Sequence, residues 1–107
     1  MFAHERKALE HIANELRRNL GDDIAGVYAF GSRVRGDHTD SSDFDVLILV
    51  HRKDVKLDEM IISIIVDIET EHGLSFSPVI KTTESFEKEK NHNSPFYQNI
   101  TNEAIPL

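Results

Sequence analysis

After Asp45 the chain runs Val46-Leu47-Ile48-Leu49-Val50, with no polar side chain on either parity. Successive side chains of a strand leave opposite faces. Such a run therefore has two apolar faces and needs a covering layer on each. That excludes a half-solvated hairpin and demands a central strand. Asp43 to Val50 is the expected strand, with Phe44, Val46, Ile48 and Val50 on one face and Asp43, Asp45, Leu47 and Leu49 on the other. Two carboxylates stand at its mouth, on one face, where an ordinary strand entry has no use for charge.

The flanking segments supply the coverings. Ala3 to Leu20 repeats Leu9, Ile12, Ala13, Leu16 and Leu20 at helical spacing and stops at Gly21. Ile24 to Phe30 reads as a short buried strand, and Gly31 to Ser42 as a polar loop with room for one helical turn. Leu57 to His72 is an expected helix with a stripe of Leu57, Met60, Ile61, Ile64, Ile65 and Ile68, closed by Gly73. Ile62 and Val66 fall off that stripe and serve either further core or a protein interface. Leu74 to Lys81 is an expected third strand, and Thr83 to Lys90 a short polar helix. Ser94-Pro95 reads as an N-cap and N1 proline, opening a last helix through about Asn102. Phe96, Tyr97 and Ile100 are expected to anchor that helix to the sheet.

No repeat, low-complexity tract or linker divides the chain. Its 107 residues are expected to form one domain over residues 1–107. The class is α/β (α+β), a small mixed sheet with helices packed on it. There is no cysteine, which excludes disulfides and thiolate metal sites. The opening residues are charged and hold no long apolar run, so neither a signal peptide nor a membrane span is expected, and the location expected is cytoplasmic. A net charge of −7 repels phosphate backbones and argues against an extended nucleic-acid surface. A small phosphate ligand stays open, because a bound divalent cation reverses the local field.

The chemistry concentrates between Phe30 and Val50. Asp43 and Asp45 lie roughly 6.5–7 Å apart along one strand face, from a rise of about 3.3 Å per residue. Aspartates so placed converge on a hard, oxygen-seeking cation such as Mg²⁺. Gly31 lets the backbone approach a phosphate closely, Ser32 adds a hydroxyl donor, and Gly36 gives a second flexible point. Arg33 and Arg35 offer forked donors for phosphate oxygens. A Gly-Ser turn alone is common, and so is Asp-x-Asp in an acidic chain; the order and spacing of the whole set are more specific. The histidines carry less. His4 and His11 are seven apart on the first helix, with no carboxylate placed to complete a zinc set. His38 lies in the loop, His51 follows the central strand, His72 ends a helix, and His92 sits in a polar loop.

Gly31-Ser32-Arg33-Val34-Arg35-Gly36 followed by Ser42-Asp43-Phe44-Asp45 resembles the GSxxxG…SDxD pattern of the DNA polymerase beta nucleotidyltransferase superfamily. The short length resembles its minimal branch, many members of which are antitoxins paired with HEPN toxins. The resemblance implies transfer of a nucleoside monophosphate from an NTP, ATP being the expected one, with Mg²⁺ or Mn²⁺. It implies Asp43 and Asp45 as metal-holding catalytic residues, and Gly31, Ser32, Arg33, Arg35, Gly36 and Ser42 as the nucleotide-binding set. It also implies a partner protein of the HEPN toxin type, a homo-oligomer, or both, and no membrane. Nothing downstream reads as a nucleic-acid-holding domain, so the expected acceptor is a partner protein or a small molecule. There is one departure. Active members usually bring a third carboxylate from the next strand, and here Ser75 and Ser77 hold that face. Two readings follow: an enzyme that moves AMP to a partner, and a weak or inactive nucleotide-binding module that acts by protein contact.

Overall fold

The computed structural model describes residues 2–31 and 43–107. Helix α1 (Ala3–Leu20) buries Ala8, Leu9, Ile12, Ala13 and Leu16 along one stripe. A 3₁₀ turn, Gly21–Asp23, leads into strand β1 (Ile24–Phe30). Strand β2 (Phe44–Val50) is followed by helix α2 (Val55–His72). Strand β3 (Phe76–Thr82), helix α3 (Thr83–Asn91), helix α4 (Pro95–Glu103) and the two-residue strand β4 (Ile105–Pro106) complete the chain.

The sheet order is β3-β2-β1-β4. β1 pairs antiparallel with β2 and with β4, whereas β2 and β3 run parallel across the α2 crossover. β2 is thus interior, as its two apolar faces require. Phe44, Val46, Ile48 and Val50 join the larger core under α1 and α2. Leu47 and Leu49 pack on the other face with Ile100 of α4 and with Phe30, Phe86 and Phe96. The expected class, a small mixed sheet with packed helices, is what the chain forms.

Element ends differ from the sequence expectation where side chains cap backbone groups. α2 begins at Val55 rather than Leu57, because the Asp54 carboxylate accepts from the Lys56 and Leu57 N–H groups at 2.9 and 3.3 Å. That N-cap satisfies donors the first turn leaves orphaned. β3 begins at Phe76, whose N–H donates to the Glu69 carboxylate at 2.8 Å. β3 is an edge strand, which accommodates Pro78. Ser94 caps α4 as its sequence foretold, its hydroxyl accepting from Tyr97 N–H at 3.0 Å. Met60, assigned to the buried stripe of α2, is 46% exposed, and Ile62 and Val66 are exposed beside it. β4 has too few residues to show a period; it is held by two pairs with β1 and by Leu107 N–H donating to the Val27 carbonyl at 2.9 Å.

Candidate active site

Two of the residues singled out by sequence, Gly31 and Asp45, meet where β1 ends and β2 begins, and Asp43 precedes them there in the chain. Asp43 is exposed immediately before β2, and Asp45 is half-buried within it. Gly31, the residue after β1, is buried. The antiparallel register sets Phe30 opposite Asp45, so Gly31 arrives beside that aspartate. Gly31 has φ +90°, a conformation side-chain-bearing residues rarely adopt, and a Cβ there would collide with the Asp45 carboxylate. Glycine is therefore required twice over, for the backbone angle and for the room Asp45 fills. Ser32, Arg33, Arg35, Gly36 and Ser42, with His38 and the rest of the loop, lie outside the described residues.

The parallel register places Ser77 of β3 opposite Asp45 on the other side. The flanking positions in the sheet are thus Phe30 and Ser77, and neither side chain is an acid. Glu69 and Glu71 do not reach this face. Glu69 is held by the Phe76 N–H, and Glu71 lies beside His11 of α1, on the helix layer that covers the opposite face. The two aspartates are a hard, anionic oxygen set, and the space beside Gly31 admits the Asp45 carboxylate only because no Cβ is present. That donor chemistry fits a divalent cation of the Mg²⁺ type.

The sequence reading missed the aromatic cluster on this face of the sheet. Phe30 meets Phe96 of α4 edge-to-face at 5.6 Å, and Phe96 meets Phe86 of α3 at 6.4 Å. These contacts carry α3 and α4 onto the Asp45 face of the sheet, below the aspartates. Lys81, on the same strand parity as Ser77, is committed to Glu89 at 2.9 Å and lies 5.0 Å over the Phe96 ring. On this face Tyr28, Phe86, Tyr97 and Ile100 contribute to a cavity of about 310 Å³. Phe96, Tyr97 and Ile100 were legible in sequence as anchors of the last helix, whereas the part of Tyr28, Phe30 and Phe86 depends on helix placement.

The chain as a whole is similar to several known proteins. A curated relative from Methanocaldococcus jannaschii, named as a candidate protein adenylyltransferase, is 30% identical over 104 residues, covering 97% of this chain and 98% of its own. The solved structure of a candidate minimal nucleotidyltransferase superposes with a TM-score of 0.63 at 24% identity, over 95% of this chain and 91% of that one. A candidate nucleotidyltransferase from Sulfolobus solfataricus gives a TM-score of 0.50 at 18% identity, over 99% and 86%. These structures share the fold. Nucleotidyltransferases draw on a nucleoside triphosphate and a divalent metal, and the aspartate pair and Gly31 suit both. The nucleotidyltransferase domain model matches residues 9–106, nearly the whole chain, and with the relative's end-to-end similarity it shows that this protein belongs to the nucleotidyltransferase family.

Proposed function

We propose that the protein transfers AMP from ATP to a hydroxyl of a partner protein, with Mg²⁺ held by Asp43 and Asp45. The observation that carries this reading is the meeting of Gly31 with Asp45, which binds the start of the Gly-Ser loop to the aspartate pair. Bound there, the cation would supply charge stabilisation at the phosphoryl oxygens. Asp43 and Asp45 hold negative charge at the strand mouth, and the Gly31 backbone lets the loop approach the triphosphate. Ser32, Arg33, Arg35, Gly36 and Ser42 complete the proposed nucleotide-binding set, the serine and arginine side chains being the phosphate donors in this reading. ATP and a protein acceptor are favoured by the end-to-end similarity to a candidate protein adenylyltransferase. A HEPN-type toxin is the partner proposed, and the exposed Met60, Ile62 and Val66 of α2 offer it apolar surface.

Ser77 opposite Asp45 favours a second reading, in which the domain binds nucleotide and restrains its partner by contact. General-base assistance contributes about 10²–10⁴-fold where it operates, so a site without that acid is expected to be slow. Titration calorimetry with ATP, with and without Mg²⁺, tests the site against the Asp43→Asn/Asp45→Asn variant. Transfer from α-labelled ATP to a co-purified partner then separates the readings. Metal-dependent binding and labelling, both lost in the variant, support the enzyme. Binding without labelling, with the variant still restraining the partner, supports the contact module. ATP binding that ignores both metal and variant overturns the assignment of the aspartates.

A further inference from the structure

The fold joins two histidines that lie far apart in sequence. His11, midway along α1, and His72, the last residue of α2, approach with Nδ1 of the first 3.1 Å from Nε2 of the second. Glu71 brings a carboxylate oxygen to 3.6 Å from the same His11 Nδ1. The three donor atoms all lie within 4.8 Å of one another. For metal–ligand bonds of about 2.0–2.2 Å, tetrahedral geometry separates neighbouring donors by about 3.4 Å. The two short separations bracket that edge.

We propose that His11 Nδ1, His72 Nε2 and the Glu71 carboxylate form a site for a zinc-type divalent cation, with water in the fourth position. Two imidazole nitrogens and one carboxylate suit Zn²⁺ better than Mg²⁺, which prefers an all-oxygen shell. Three surroundings favour a cation. His72 stands at the C-terminus of α2, where the unpaired carbonyls carry partial negative charge. A polar groove of about 420 Å³ between α1 and α2, lined by His11, Glu15, Asp67 and Glu71 among others, gives water access. Glu15 lies 3.8 Å from Nε2 of His11, the ring nitrogen that faces away from the donor cluster. A metal-bound histidine characteristically hands its other N–H to a carboxylate, and Glu15 is held in place by Arg18 at 2.6 Å and Asn19 at 3.1 Å. Among the described residues Arg18 is the one Lys or Arg lining the groove, and it pairs with Glu15.

This site lies in the α1/α2 layer, on the face of the sheet opposite the one that carries Leu47 and Leu49 on the strand parity of Asp45, and its occupancy would clamp α1 to the end of α2. The test is a Zn²⁺ titration of the whole protein, followed by calorimetry and by the imidazole ¹⁵N resonances. In excess Mg²⁺, which occupies the aspartate pair, one Zn²⁺ per chain is expected, with shifts at His11 Nδ1 and His72 Nε2. Affinity should fall at least tenfold in His11→Ala and in His72→Ala and fall measurably in Glu15→Gln. It should be unchanged in Asp43→Asn/Asp45→Asn. Resonances that move at His4, His51 or His92 instead, or an affinity indifferent to His11→Ala, overturn the proposal. Loss of Zn²⁺ binding in the aspartate variant alone moves the cation to the other site and overturns it equally. Because the ¹⁵N readout is taken on the unaltered protein, a poorly folded variant does not leave the question open.

Discussion

At the scale of single residues, the constraint at the aspartate site falls on Gly31. Its φ of +90° and the proximity of the Asp45 carboxylate leave no place for a methyl group. Gly31→Ala is expected to cost about 1–3 kcal/mol, the usual range for a side-chain-bearing residue in so sparse a region, read as a lower urea midpoint. Under the proposed function it should also weaken metal-dependent ATP binding, because relief of the clash displaces Asp45. A second residue-scale prediction concerns Glu15. The Arg18 guanidinium hydrogen-bonds its carboxylate, and with the Arg18 charge and the Asn19 amide this holds its pKa below the ordinary value of 4.5. A lowered carboxyl pKa in the folded state favours folding above the ordinary value, and that contribution is lost as the pH falls through the folded pKa. A ¹³C titration of the Glu15 carboxyl should therefore show a low midpoint, rising toward 4.5 in Arg18→Gln.

At the scale of elements, α2 combines the strongest local signals with an ambiguous outer face. Asp54→Ala removes the cap on two backbone donors and should cost about 1 kcal/mol, measurable by denaturant unfolding. Ile65 is 2% exposed and faces the larger core, so Ile65→Ala should cost about 2–5 kcal/mol. Ile62, 41% exposed, should tolerate Ile62→Ala within about 0.5 kcal/mol, the common range for surface changes. If that exposed ridge meets a partner, the same substitution weakens the complex while leaving the unfolding midpoint in place. The sequence showed which positions shared a helical face. It did not show how wide a stripe the sheet would cover, and Met60 fell outside that width.

At the scale of the molecule, the two faces of the sheet are unequal. The α1/α2 face carries a continuous core from Ala8 to Phe76, whereas the α3/α4 face rests on Leu47, Leu49, Ile100 and a row of half-buried aromatics. Regions with fewer buried apolar contacts open at lower free energy. Amide exchange should therefore be slowest in β2 and in the buried turns of α1 and α2, and faster in α3 and α4. Phe96→Ala, which removes the ring between Phe30 and Phe86, should speed exchange in α4 well before it affects α1. Equal acceleration on both faces would show that the sheet opens as one unit.

The residues alone dictate the period of each long element, the caps at Ser94 and Gly73 and the interior position of β2. Each of these follows from local geometry, the twofold alternation of a strand or the 3.6-residue turn of a helix. Tertiary structure alone decided the partners. It set Ser77 against Asp45 through a parallel register that spans a helical crossover. It added β4, too short to announce itself, and brought His72 to His11 across 61 positions of chain. Periodicity tells a residue which way to face; only the packing of helices and strands on one another decides what it meets there.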